Sequence, residues 1–338
     1  MSRASGERAV DEADQLELQA LIQGNAALES SLLDDLMVPP EENELDSFNL
    51  DVSQVAREDL GGAALEEVQW RIRILGNGYP FELNGANLSY VPRRTRVYEF
   101  LLLTALEDHT RNKGEEPVWS KNSELMFELI AFECVKLYFG GRGLRTGFPS
   151  HDVRERPKRF RDVSALLQRE APEWLWIAGD IDSDAPYLRL FTDEQKDATV
   201  DFVVWRKLDE RPGALYAVGQ CACGQNWKTK LGELSIKRLQ AWWQLPPVDP
   251  IRTFAIPRVI DASQPLKVMT LEAGLVFDRL RLTLLAEAAP DDHPLRCGWL
   301  PPMSTYIKNW AQDLVTRPTR PAKPSPPPRT AAAAPRSQ

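Results

Sequence analysis

Apolar residues recur at roughly helical spacing through residues 12–37, where Leu16, Leu18, Leu21, Ile22, Leu28, Leu32, Leu33 and Leu36 precede Pro39-Pro40. That period predicts an amphipathic helix, and the proline pair predicts where it stops. Residues 38–66 are acidic and predict a looped segment. The pattern then changes to alternation in VQWRIRIL (68–75), which predicts a strand, and YPFELNGANLSY predicts a hairpin turning at Asn84-Gly85. Residues 95–109 and 122–139 return to helical periodicity. Two short runs rich in β-branched and aromatic residues follow, FVVW after Asp201 and LYAVG before Gln220, joined by a polar link around Pro212-Gly213. They predict two adjacent strands. A helix is expected after Asn226, with Trp242-Trp243 toward its end as core residues. FAIPRVI (254–260) predicts a further strand, and helices near 272–288 and 303–314 close the pattern.

Composition sets the scale of what these elements build. A chain of 338 residues, 43% apolar with ten Trp, has material for one large core plus appendages. No apolar run reaches 18 residues, and MSRASGERAVDEADQ contains no hydrophobic signal segment, so the expectation is a cytoplasmic protein that does not enter a membrane. The net charge of −8 hides a split. Residues 1–66 hold 16 acids against three arginines, residues 317–338 hold five basic residues and no acid, and the middle is balanced at 33 of each. The expected organisation is an acidic, partly helical N-terminal extension over 1–66, one α/β domain over 67–316, and a disordered basic Pro-rich tail over 317–338. The extension is suited either to bind a partner protein or to shield a basic groove, and the tail to touch DNA without sequence preference.

Several chemistries are excluded or left without support. Four Cys (134, 221, 223, 297) form no CxxC pair, Cys221-Ala222-Cys223 has no His nearby in sequence, and the three His (109, 151, 293) are scattered, which argues against zinc and against a Cys nucleophile. GGRGLRTGFPSHDVRERPKRF (140–160) is Gly-rich and basic and suits backbone phosphates as a loop, but no GK[ST] makes it a nucleotide P-loop. GDIDSDAP (179–186) lacks the Gly and Glu of a calcium loop. What remains is an acid and an amide on adjacent strands: Asp201 opening the first and Gln220 closing the second, with Lys228 and Lys230 soon after. Oxygen ligands of that kind suit a hard cation held against a phosphate. Glu128 in LMFELIAF shares a helix face with Leu125, Phe132 and Val135, so it needs either a metal or a basic partner; Glu133 replaces it if the register shifts.

KDATVD followed by LYAVGQ resembles the PD-(D/E)xK nuclease superfamily, most closely its Mrr-type restriction branch, in which Gln can replace the acid. The resemblance implies a restriction-endonuclease-like core, a central mixed β-sheet flanked by helices. It also implies Mg²⁺- or Mn²⁺-dependent cleavage of DNA in bacterial defence against phage, with partner proteins supplying recognition. Asp201, Gln220 and Glu128 carry over as metal-site residues. The family's Lys two residues after the acid is Ala222 here. Some members move that Lys into the following helix, and related phage-defence nucleases carry QCA-x-G-x-NW-x-x-K, which QCACGQNWKTK matches at Lys230, with Lys228 the alternative. A catalytically inactive nuclease fold that docks DNA, and a nuclease that cuts RNA, are the competing readings. The resemblance spans about residues 95–260, sharply over only about 35.

Overall fold

The computed structural model describes residues 3–27, 47–110, 123–147, 157, 160–177, 199–260, 266–296 and 303–316. The GDIDSDAP segment, the tail, most of 148–160 and residues 28–37 lie outside them.

The first helix, α1 (Arg3–Gln23), begins earlier and ends sooner than the leucine stripe predicts. Gly24, at φ +86°, stops it and donates its N–H to Ala20 O at 2.8 Å. The chain continues into β1 (Asn25–Ala27). Helix α1 packs along α2 (Ser47–Leu75), which overturns the strand expected at 68–75. Val68, Arg71 and Leu75 are buried and Ile72 partly so, the spacing of one helix face. The alternation misled because it assigned Arg71 to solvent, whereas its side chain is fully buried.

Arg71 is buried because α1 supplies its counter-charges. Its guanidinium donates to Asp14 and Glu17 of α1, both at 2.7 Å, and to Glu67 at 2.9 Å. Arg279 forks onto the two oxygens of Asp14 at 2.8 Å each. Tyr79 and Tyr98 donate their hydroxyls to Glu17 at 2.6 and 2.8 Å. Burial pushes the Asp14 carboxyl up, but Arg279 and Arg71 outweigh it and hold it down at about 2. Apolar residues of α1 join one continuous core with Phe202, Val204 and Ala217 of the main sheet. The N-terminal segment expected as an appended extension is therefore part of the domain's interior, and the expected boundary at 66/67 falls inside α2.

The Asn84-Gly85 hairpin forms as expected. Strands β2 (Phe81–Asn84) and β3 (Asn87–Tyr90) pair antiparallel around Gly85 at φ +63°, and β1 adds to β3. Helices α3 (Val97–Thr110) and α4 (Ser123–Phe139) match their periodic stretches closely.

The central sheet is mixed and five-stranded. It contains β4 (Arg142–Arg145), β6 (Phe202–Arg206), β7 (Leu215–Cys221), β9 (Ile251–Ala255) and β10 (Leu275–Phe277), in the order β10-β9-β7-β6-β4. Neighbours β4, β6 and β7 run antiparallel; β7, β9 and β10 run parallel. The start of the segment expected as a loop over 140–160 is thus an edge strand. On one face Phe202, Val204 and Ala217 meet the α4 core; on the other Val203, Trp205, Tyr216 and Val218 meet an aromatic cluster of Trp174, Trp243 and Phe160. Phe160 ends α5 (Phe160–Glu170) at its start, and Trp243 lies in β8 (Trp243–Gln244), paired with β5 (Leu175–Trp176). Trp242 and Trp243 are core, as expected, though they follow the short helix α6 (Ile236–Leu239) rather than end a long one. The expected 254–260 strand is displaced to β9. The 272–288 helix divides into α7 (Leu266–Ala273), β10 and α8 (Arg279–Glu287), with Asp278 capping α8 through Arg281 N–H at 3.0 Å. Helix α9 (Met303–Thr316) packs on α3. Among the described residues no helix is long and apolar enough to cross a membrane.

Candidate functional site

Register alone brings Asp201 and Gln220 together. Phe202 lies opposite Gly219, and Asp201 directly precedes Phe202 as Gln220 directly follows Gly219, so the two residues share one end of the sheet. Asp201 is anchored by its backbone. Its N–H donates to Gly219 O at 2.8 Å, and its carbonyl accepts from Thr146 and Gly147 N–H at 2.7 and 2.8 Å. Its carboxylate accepts from Cys221 N–H at 2.6 Å. Two residues upstream, Thr199 sits at φ +64°, an uncommon conformation for a β-branched residue and the kind of strain that collects at functional sites.

Gln220 is buried on the face of Tyr216 and Val218, roofed by the segment that follows β7. Its Nε2 donates to Glu233 Oε2 at 3.0 Å, while its Oε1 is buried with no hydrogen-bond partner among the described residues. A buried oxygen left unmet costs about 1–3 kcal/mol. Turning the amide over gives no escape, because it would set Oε1 against the Glu233 carboxylate. Such an oxygen, at the end of the sheet that also carries the Asp201 carboxylate, suits a hard cation's ligand set.

The lysines differ in their surroundings. Trp227–Lys230 form a single 3-10 turn rather than a helix, and Asn226 makes no side-chain cap. Lys228 leaves the site, pairing with Glu7 of α1 and lying over the Trp227 ring, 5.6 Å from its centroid. Lys230 is half-buried, and among the described residues its ammonium has no ion pair or hydrogen bond. Ala222, where the family's Lys would stand, is 2% exposed in a cluster with Trp227, Leu231, Phe254 and Ile256. That position is roofed by apolar side chains and has no place for a cation.

Glu128 is not brought to the face of Gln220. It is buried on the α4 side of the sheet and paired with Arg145, whose partner in the register, Phe202, faces α4. Its carboxylate lies against Gly147, where a side-chain carbon would approach its Oε1 to 2.4 Å and force the carboxylate to shift. Gly147 also donates to Asp201 O, so Glu128 braces the end of the sheet from behind. Glu133 binds Lys136 through both oxygens, at 2.8 and 2.9 Å. Cys134, Cys221 and Cys223 are free thiols. Burial pushes the Cys221 thiol well up, with Asp201 and Glu128 adding to the effect, so it is held as an unreactive thiol. Among the described residues, no group of three or more His, Cys, Asp or Glu is placed to hold a metal ion.

Glu233 was not foreseen from the sequence. In LGEL it lies between Leu231 and Leu234, both buried, and only the need of the Gln220 amide for a partner distinguishes it from a surface Glu. No protein-family model, curated protein or solved structure matches the chain.

Proposed function

We propose that the chain is a metal-dependent DNA endonuclease with a restriction-endonuclease-like core, acting in bacterial defence against phage together with partner proteins that supply target recognition. The observation that carries this reading is the Gln220 amide, fixed at its nitrogen by Glu233 with its oxygen buried and unmet among the described residues, at the end of the sheet where Asp201 lies. Asp201 and the Gln220 oxygen would hold Mg²⁺ or Mn²⁺. Bound there, the ion lowers the pKa of a water and offsets charge on the scissile phosphate. Lys230, which has no counter-charge among the described residues, would draw the phosphate toward the strand end and neutralise it. The backbone bonds from Thr146 and Gly147 hold Asp201 in place as substrate arrives.

A second reading has its own observation. Ala222 is sealed beneath Trp227 and Leu231 where the family carries its Lys, which suits a nuclease fold that docks DNA or assembles a complex without cutting. Purified protein incubated with plasmid, linear DNA and RNA, in Mg²⁺, Mn²⁺ or EDTA, separates these readings. The endonuclease reading expects DNA cleavage that EDTA stops and Asp201→Ala abolishes with the fold retained. Normal cutting by Asp201→Ala overturns the site; binding without cleavage supports the docking subunit, and cleavage of RNA alone a ribonuclease.

A further inference from the structure

We propose that Glu233 is a positioning residue that sets which end of the Gln220 amide faces the metal site, and so gives a neutral side chain the role of an acid. The inference rests on the metal-site reading above. An amide has one acceptor end and one donor end, and the wrong end repels a cation. A strand carboxylate presents an oxygen whichever way it turns, whereas Gln must be held in one of two orientations. Glu233 supplies the hold. Its Oε2 accepts from Gln220 Nε2 at 3.0 Å, and a carboxylate accepts only, so the reversed amide would place two acceptors together. The orientation that remains leaves Oε1 buried and unmet.

Glu233 is itself fixed by the turn that carries Lys230. Its N–H donates to Lys230 O at 3.1 Å, and its carbonyl accepts from Arg238 at 3.2 Å. Leu231 and Leu234 on either side are buried, which pins the turn to the sheet. One short segment thus orients the amide and presents the candidate phosphate-binding lysine. The arrangement also explains why Gln220→Glu is not a simple restoration. With Glu233 present it would set two carboxylates against each other at the 3.0 Å now spanned by a hydrogen bond.

The test is Mn²⁺ affinity of the full chain, measured by electron paramagnetic resonance or calorimetry without nucleic acid. Glu233→Ala should weaken Mn²⁺ binding about 10- to 100-fold, the usual scale for losing a group that orients a ligand. Glu233→Gln keeps the shape but can donate as well as accept, so it should also weaken binding, by less. In the double variant Gln220→Glu with Glu233→Ala, orientation no longer matters, and affinity should return to the wild-type value or exceed it. A purely structural role for Glu233 predicts no such rescue. If the wild-type chain binds Mn²⁺ and Asp201→Ala weakens it, but neither Glu233 variant does, the positioning role is overturned and the metal site stands. If the wild-type chain binds no Mn²⁺, the metal-site reading falls and this inference falls with it.

Discussion

Two buried polar clusters in this fold are completed to different degrees. Around Arg71 and Arg279 the carboxylates of Asp14 and Glu17 and the hydroxyls of Tyr79 and Tyr98 meet one another at hydrogen-bond distance. Around Gln220 one end of an amide is met and the other, equally enclosed, is not. A completed network in a low-dielectric interior acts as a clamp, because removing any member exposes the rest to the cost of an unpaired buried charge. An incomplete one costs stability continuously and is tolerable where an outside group completes it. The first cluster is therefore the better guide to what holds the fold, and the second to where the proposed activity should be sought.

The strongest way to break the comparison is to open the completed cluster. Arg71→Ala leaves Asp14, Glu17 and Glu67 with one fewer cation and should destabilise the protein by about 3–5 kcal/mol, read as a lower urea midpoint. A change under about 1 kcal/mol, the scale of a surface ion pair, would show that the cluster is not a clamp. At the incomplete cluster, Lys230→Ala should lose at least about 10²-fold in DNA cleavage with little change in the urea midpoint. If instead it unfolds the chain, Lys230 belongs to the scaffold.

The third test is pH. Asp14 is held at about 2, below its ordinary value, so its carboxylate contributes stability that is fully present above the unfolded-state value near 3.8 and fades as pH falls through 2. A shift of that size corresponds to about 2 kcal/mol. Asp14→Asn should flatten that limb of an acid titration followed by circular dichroism, and an unchanged limb would remove Asp14 from the clamp. The smallest effect belongs to Lys228. It is an exposed partner of Glu7, so Lys228→Ala should change stability by less than about 1 kcal/mol and leave cleavage within a few-fold of wild type. A large loss of cleavage would move the phosphate-neutralising role from Lys230 to Lys228.

The sequence made some of this legible because the governing interactions are local. The strands after Asp201 and before Gln220, the Asn84-Gly85 hairpin and the helices over Val97–Thr110 and Ser123–Phe139 follow from periodicity and turn residues. Arg71 shows where that reasoning ends. A fully buried arginine breaks the apolar stripe of α2, and its counter-charges come from α1, on the other side of a long acidic stretch. Glu128 was legible as a buried acid needing a partner, but periodicity does not say whether the partner is a metal or Arg145. Gln220 was legible as a candidate residue; its partner Glu233 was not, because their hydrogen bond depends on how the chain turns after β7.

The bond between Asp14 and Arg279 joins residues 265 positions apart, which bears on how the protein comes to exist in a cell. At a synthesis rate of about 5–20 residues per second, Arg279 is made roughly 13–50 s after Asp14. Through that interval α1 carries acids whose second cation has not been made, and water remains their better solvent. Closing so long a loop adds little to the equilibrium cost, since that cost grows only with the logarithm of length, but it slows the final assembly. A nascent chain halted before residue 279 would lack the fork onto Asp14, so α1 gains its second cation only when about four-fifths of the sequence has been made.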